Sequence, residues 1–163
     1  MSIAIISDIH DNLVNLEKCL NWCRAEKVKD LICCGDITNL ETVEFISQHF
    51  LGQIFLVRGN CTIFDDRDIL ELKNITNLGE AGRFSLEGHW VGLCHQPFEI
   101  EKVKALGQCE IIFFGHTHKP SLEDIDGSLI VNPGTLGGVF NEATFTYWDP
   151  CENKLELKVL GLL

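Results

Sequence analysis

Ile3-Ala4-Ile5-Ile6-Ser7-Asp8-Ile9-His10 decides the fold. Four apolar residues followed by a polar break read as a buried strand that ends on two side chains able to do chemistry. The same pattern recurs twice. Leu31-Ile32-Cys33-Cys34 is closed by Gly35-Asp36, and Ile54-Phe55-Leu56-Val57 is closed by Arg58-Gly59-Asn60. Between these runs, Leu13, Leu16, Leu20 and Cys23 recur at helical spacing behind a cap at Asp11 or Asn12, and Val43, Phe45, Ile46 and Phe50 mark a second helix over 41–50. A β-α-β-α-β order with short connections implies parallel strands and right-handed crossovers.

The second half changes character. Residues 82–86 and 90–94, joined through Glu87-Gly88-His89, read as a hairpin. A helix is expected over 98–106 and a buried strand over 111–114, closed by Gly115. Asp126-Gly127 between 122–125 and 129–131 is the strongest short hairpin signal in the chain. Segments 145–148 and 155–160, alternating around Asp149-Pro150, read as a last antiparallel pair. With no linker or repeat between the halves, the expectation is one domain over 1–163, α/β, with two facing sheets.

Composition narrows the function classes. The 163 residues hold 13 Lys plus Arg against 24 Asp plus Glu, a net charge of -11. That excess excludes a general binder of long nucleic acid, which needs a basic face, and disfavours anionic membranes. A small anionic substrate requires a local reversal of the field, which a divalent cation provides. The first residues lack the basic start and apolar middle of a signal peptide, and the uncharged run 127–141 carries Pro133 and glycines, unlike a membrane span. Eight cysteines without a CxxC pair, several of them in apolar runs, read as buried reduced thiols of a cytoplasmic protein.

The chemistry gathers where the strands end. Asp8 and His10, Asp36, Asn60, His95, and His116 with His118 are seven potential metal ligands from five segments. Loops at the carboxyl ends of parallel strands share one edge, where ligands bind. Mixed carboxylate, imidazole and amide donors suit Mn²⁺, Fe or Zn²⁺ better than Ca²⁺. A shared carboxylate can hold two cations about 3.5–4 Å apart, poised for displacement at phosphorus. Gly-Asp or Gly-Asn alone is an ordinary turn pair; five such segments in this order are what carry the metal reading. A cysteine phosphatase is disfavoured. Cys61 and Arg67 have C-x5-R spacing, but Asp65 and Asp66 would repel the phosphate that such a loop cradles.

These motifs, with Asn132-Pro133-Gly134, resemble the calcineurin-like metallophosphoesterases, and among them the small, cap-less YfcE-type phosphodiesterases. The resemblance implies a four-layer α/β/β/α metallophosphoesterase sandwich of two mixed sheets flanked by helices. It places Asp8, His10, Asp36 and His118 on a first metal, with Asp36 bridging to a second held by Asn60, His95 and His116. It implies hydrolysis of small phosphodiesters by a metal-bridging hydroxide, with two divalent transition metals, Mn²⁺ foremost and Fe, Zn or Ni as alternatives. Asn60, Cys61 and His95 are the catalytic candidates. Cys61 stands where the family's Gly-Asn-His-Asp/Glu motif has its proton donor, and Thr62 where it has an acid, so Asp65 or Asp66 is a candidate replacement. Gln96, after His95, is expected to narrow the pocket. The rival expectation is a protein-binding scaffold of the same fold, as in a retromer subunit. Leu160, Leu162 and Leu163 hint at a homo-oligomer, a dimer or tetramer.

Overall fold

The two faces of the first strand enter two different cores. In the computed structural model, which describes residues 2–163, β1 (Ile3–Ile6) is buried along its whole length. Ala4 and Ile6 pack with the helices, whereas Ile3 and Ile5 pack between two sheets. A strand buried on both faces reads as an unbroken apolar run, which is why this stretch shows no alternation.

The helices that cover the outer face are α1 (Leu13–Ala25) and α2 (Leu40–His49). Asn12 caps α1 by accepting the N–H of Asn15 at 3.2 Å, satisfying a donor the helix cannot. The helix buries Leu16, Cys19, Leu20 and Cys23, and each fully buried leucine contributes about 1.5–3 kcal/mol. Beside β1 lie β2 (Asp30–Cys33) and β3 (Gln53–Leu56), all parallel, with Ile5 opposite Ile32 and Ile32 opposite Phe55.

A short strand, β4 (Ile75–Asn77), extends this sheet on the β3 side. The second sheet comprises β5 (Ala81–Leu86), β6 (His89–Cys94), β7 (Ile111–Phe113), β8 (Ser121–Ile125) and β9 (Ser128–Asn132), in the order 5-6-7-9-8. Val91, Leu93, Ile111, Phe113 and Val131 face the first sheet. The opposite face holds Cys94, Cys109, Ile112 and Ile130 against Val103 of α3 (Ile100–Ala105). The layers are therefore helix, sheet, sheet, helix, as expected.

Besides the unread β4, two details differ from the sequence reading. The last pair, β10 (Thr144–Asp149) and β11 (Lys154–Val159), does not extend the β-rich half but returns to the first sheet, with β10 antiparallel beside β1. There Phe145 enters the helix-side core and Trp148 the inter-sheet core. The helix expected over 98–106 is shorter, because Pro97–Glu99 forms a 3-10 turn capped by Gln96 before α3 begins. Among the described residues no helix is long and apolar enough to cross a membrane.

Candidate metal centre

All seven predicted donors lie just past the C-terminal ends of β1, β2, β3, β6 and β7. Backbone hydrogen bonds bind these loops to one another. Asp8 N–H donates to Gly35 O and His10 N–H to Asp36 O, both at 3.1 Å, while Gly115 N–H donates to His95 O at 3.0 Å. The fit demands unusual backbone. Asp8, His10, Asp36, His116 and His118 all have positive φ, between 46° and 67°. Left-handed conformations are uncommon outside glycine, although Asp and His enter them more readily than most residues, and they cluster at functional sites.

Three glycines make room for the donors. A Cβ at Gly115 would collide with Ser7 Oγ and lie 2.7 Å from Asp8 Oδ2; one at Gly59 would collide with Asp36. At Gly35, with φ +99°, it would lie 2.6 Å from His95 Nδ1. Close approach between neighbouring loops, more than turn geometry, is what Gly59 and Gly115 supply.

The side chains form two overlapping groups. In the first, His118 Nε2 is 3.2 Å from both Asp8 Oδ1 and His10 Nε2, and His10 Nε2 is 3.8 Å from Asp36 Oδ2. In the second, Asn60 Oδ1 lies 2.9 Å from both His95 Nε2 and His116 Nδ1, and His95 Nε2 is 3.4 Å from Asp36 Oδ1. Asp36 belongs to both. Asp8 Oδ2 accepts from Ser7 Oγ at 2.6 Å and His116 N–H at 3.0 Å, but buried Asp8 Oδ1 has no hydrogen-bond partner.

The outer contacts set what faces inward. A carbonyl only accepts, so His95 donates Nδ1–H to Cys34 O at 2.8 Å, and His118 donates Nδ1–H to Val139 O at 3.2 Å. A ring that carries only this proton has its Nε2 lone pair facing carboxylate and amide oxygens. Acceptors facing acceptors at these distances require a proton or a cation between them. Burial alone would raise Asp36, yet His95 and the Cys61 N–H outweigh it and hold the carboxyl at about 2. Burial pulls His95 down, but the Asp36 and Asp8 carboxylates outweigh this and raise it. The pocket therefore draws positive charge.

The donor set fits divalent cations. Asp8, His10 and His118 each bring an atom within 4.8 Å of the others, as do Asp8, Asp36 and His95. The unpartnered Asp8 Oδ1 is an oxygen that the protein itself leaves for such an ion. Cys61 also reaches this group, within 4.8 Å of His10 and Asp36 donors. Its N–H donates to Asp36 Oδ1 at 2.9 Å, and Asn60 Nδ2 donates to its sulfur at 3.3 Å. Burial, then the nearby Asp36 and Asp8 carboxylates, push its thiol up, which keeps the proton on sulfur at neutral pH.

The substitutes expected for the missing acid go elsewhere. Asp66 pairs with Arg58 at 2.8 Å, and Asp65 with Arg67 at 3.0 Å. Thr62 instead accepts the Gly59 N–H through its hydroxyl, at 3.1 Å, and so closes the loop that presents Asn60. After His95, Glu99 accepts the backbone N–H of Gln96 at 2.9 Å and of His95 at 3.3 Å, which fastens the turn that carries both. One contributor lay unread within a motif. Asn132 donates to Gly115 O at 2.8 Å and Thr117 Oγ1 at 3.1 Å, holding the loop that carries His116 and His118.

A family model described as the calcineurin-like phosphoesterase superfamily domain matches residues 1–149. The chain is 27% identical over 149 residues to phosphodiesterase MJ0936 of Methanocaldococcus jannaschii, covering 85% of this chain and 86% of that one. It is 28% identical over 144 residues to vacuolar protein sorting-associated protein 29 of Schizosaccharomyces pombe, covering 86% and 75%. A solved structure of an archaeal phosphodiesterase superimposes with a TM-score of 0.87 at 23% identity, covering 98% of this chain and 99% of that one.

Proposed function

The chain belongs to the calcineurin-like phosphoesterase superfamily, and on that premise we propose that it is a phosphodiesterase of small diesters, working at a centre of two divalent cations. The observation that carries this reading is the buried, unpartnered Asp8 Oδ1 among inward-facing imidazole lone pairs. Asp8, His10, Asp36 and His118 would hold one cation, and Asp36, Asn60, His95 and His116 the other. Manganese is the metal of choice, with iron, zinc and nickel as alternatives for the same donors. When bound, such ions supply an activated water at neutral pH and neutralise charge on the phosphoryl group.

The chain's own groups do the rest. The Cys34 and Val139 carbonyls fix the rings of His95 and His118, so the donors are oriented before any ligand arrives. Asn60 offers an amide N–H beside the pocket, presently spent on the Cys61 sulfur, that a phosphoryl oxygen can accept. The Cys61 thiol, held beside Asn60 and Asp36, is the donor placed to serve a departing alkoxide or phenolate. An alcohol that leaves readily needs little such help, so activated aryl diesters are the preferred substrates and monoesters poor ones.

Elemental analysis of protein purified with Mn²⁺, together with turnover of bis(p-nitrophenyl) phosphate, tests this. Two metals per chain and chelator-sensitive hydrolysis are expected, both lost in Asp36→Ala and His118→Ala. Metal without any diester turnover would favour a second reading, a protein-binding scaffold of this fold. The similarity to vacuolar protein sorting-associated protein 29 is what supports it.

A further inference from the structure

An aromatic ring stands uncovered beside the metal donors. Phe140 is 94% exposed, and its ring lies 6.2 Å from that of His118, centroid to centroid, with only 28° between the planes. A phenylalanine in this setting leaves its apolar area in water, and its φ of +63° is an outlier for a bulky residue. Both costs could be avoided by Gly or Asn in the same place, so neither backbone geometry nor packing explains the ring.

Phe140 also does not hang on a loose loop. Leu136 N–H donates to Ser7 O at 2.8 Å and Gly137 N–H to Asp8 O at 3.0 Å, while the Val139 carbonyl accepts from His118. The segment is thus fastened to the end of β1 on one side and to a candidate metal ligand on the other.

We propose that Phe140 is a stacking platform that selects nucleoside phosphate esters, its ring carrying the nucleobase while the phosphate reaches the carboxylate and histidine cluster. Any base offers a π-face, so stacking gives affinity without strong base preference. The net charge of -11 disfavours a long strand, which needs a basic face, and so points to a short ligand.

The proposal rests on the phosphoesterase reading only for the place of the phosphate, and binding tests it without turnover. In Mn²⁺ buffer, titration calorimetry should show AMP bound about tenfold more tightly than ribose 5-phosphate, a typical value for one stacked base. Phe140→Asn, a residue at ease with positive φ, should abolish that preference, and Phe140→Trp should keep it. Equal affinities in the unaltered protein, no measurable binding of either ligand, or a preference that survives Phe140→Asn would each overturn the platform. If the AMP preference appears but no diester is hydrolysed, the platform stands and the phosphoesterase reading falls. If diesters are hydrolysed with the same KM whether or not they carry a base, the reverse holds.

Discussion

Asn132, at the end of β9, hands its side-chain N–H to the carbonyl of Gly115, 2.8 Å away, and so fixes the start of the loop that carries His116 and His118. Its own Oδ1 accepts the Gly134 N–H at 2.8 Å, which settles the orientation of the amide. Asn132→Asp would keep the shape but set a carboxylate oxygen against a carbonyl. Supporting contacts of this kind are worth about 10–100-fold in metal affinity. Chelator-competition titration with Mn²⁺ should show a loss of that size, with the thermal transition still cooperative. Unchanged affinity would mean that the loop holds itself.

Gly115→Ala should damage the same region from the other side. The backbone there tolerates alanine, but the new methyl would meet Ser7 and Asp8. Overpacking costs about 1–3 kcal/mol, a fall of several degrees in Tm. Combining it with Ser7→Ala should recover part of the loss, because the Asp8 carboxylate remains in the way. Thermal unfolding of the single and double variants measures this, and no recovery would place the conflict elsewhere.

Cys61→Ala should separate substrates by leaving group. A positioned general acid is worth at least about 100-fold, but only where the departing oxygen needs a proton. The expected result is a loss of about that size on alkyl esters and a few-fold change on p-nitrophenyl esters. In kcat/KM plotted against leaving-group pKa, the slope should steepen. An unchanged slope would make the thiol a space-filler.

Asp30 predicts a pH effect. Burial first, and Glu87 second, raise its carboxyl above the ordinary value, and its Oδ2 is buried without a hydrogen-bond partner. A folded-state pKa above the unfolded one means that the favourable contribution is present at low pH and lost as pH rises through the folded value. At neutral pH the charge is carried at a cost. Asp30→Asn should therefore raise Tm at pH 7 and give no gain near pH 3, below the usual carboxylate pKa of about 3.9. A gain of equal size at both pH values would point to packing instead of charge.

The strands that build the site were legible because each is buried and then broken by a polar residue. Ile3–Ile6 coincides with its reading, and β2 and β3 are displaced by one residue. The seven donors could be found from the residues that terminate each strand, since the parallel topology sends those ends to one edge. Three residues of half-buried β4, with no periodicity, carried no signal. Nor did the return of β10 to β1, because pairing partners distant in sequence leave no local mark. The positive φ of His10, His116 and His118 was equally hidden, since no turn glycine marks those positions. The ion pairs that occupy Asp65 and Asp66 were beyond reach for a related reason, since Arg58 and Arg67 could have turned either way.

Neither sheet owns a complete set of donors. Asp8, His10, Asp36 and Asn60 lie past strands of the first, and His95, His116 and His118 past strands of the second. The spacing of the centre is therefore gauged by the thickness of the apolar layer between the sheets, where Ile5, Val57 and Phe113 meet. Trimming that layer would bring the two halves of the centre closer or let them drift. Metal affinity thus becomes a ruler for the core, and residues that never touch a ligand acquire a say in which ion is bound.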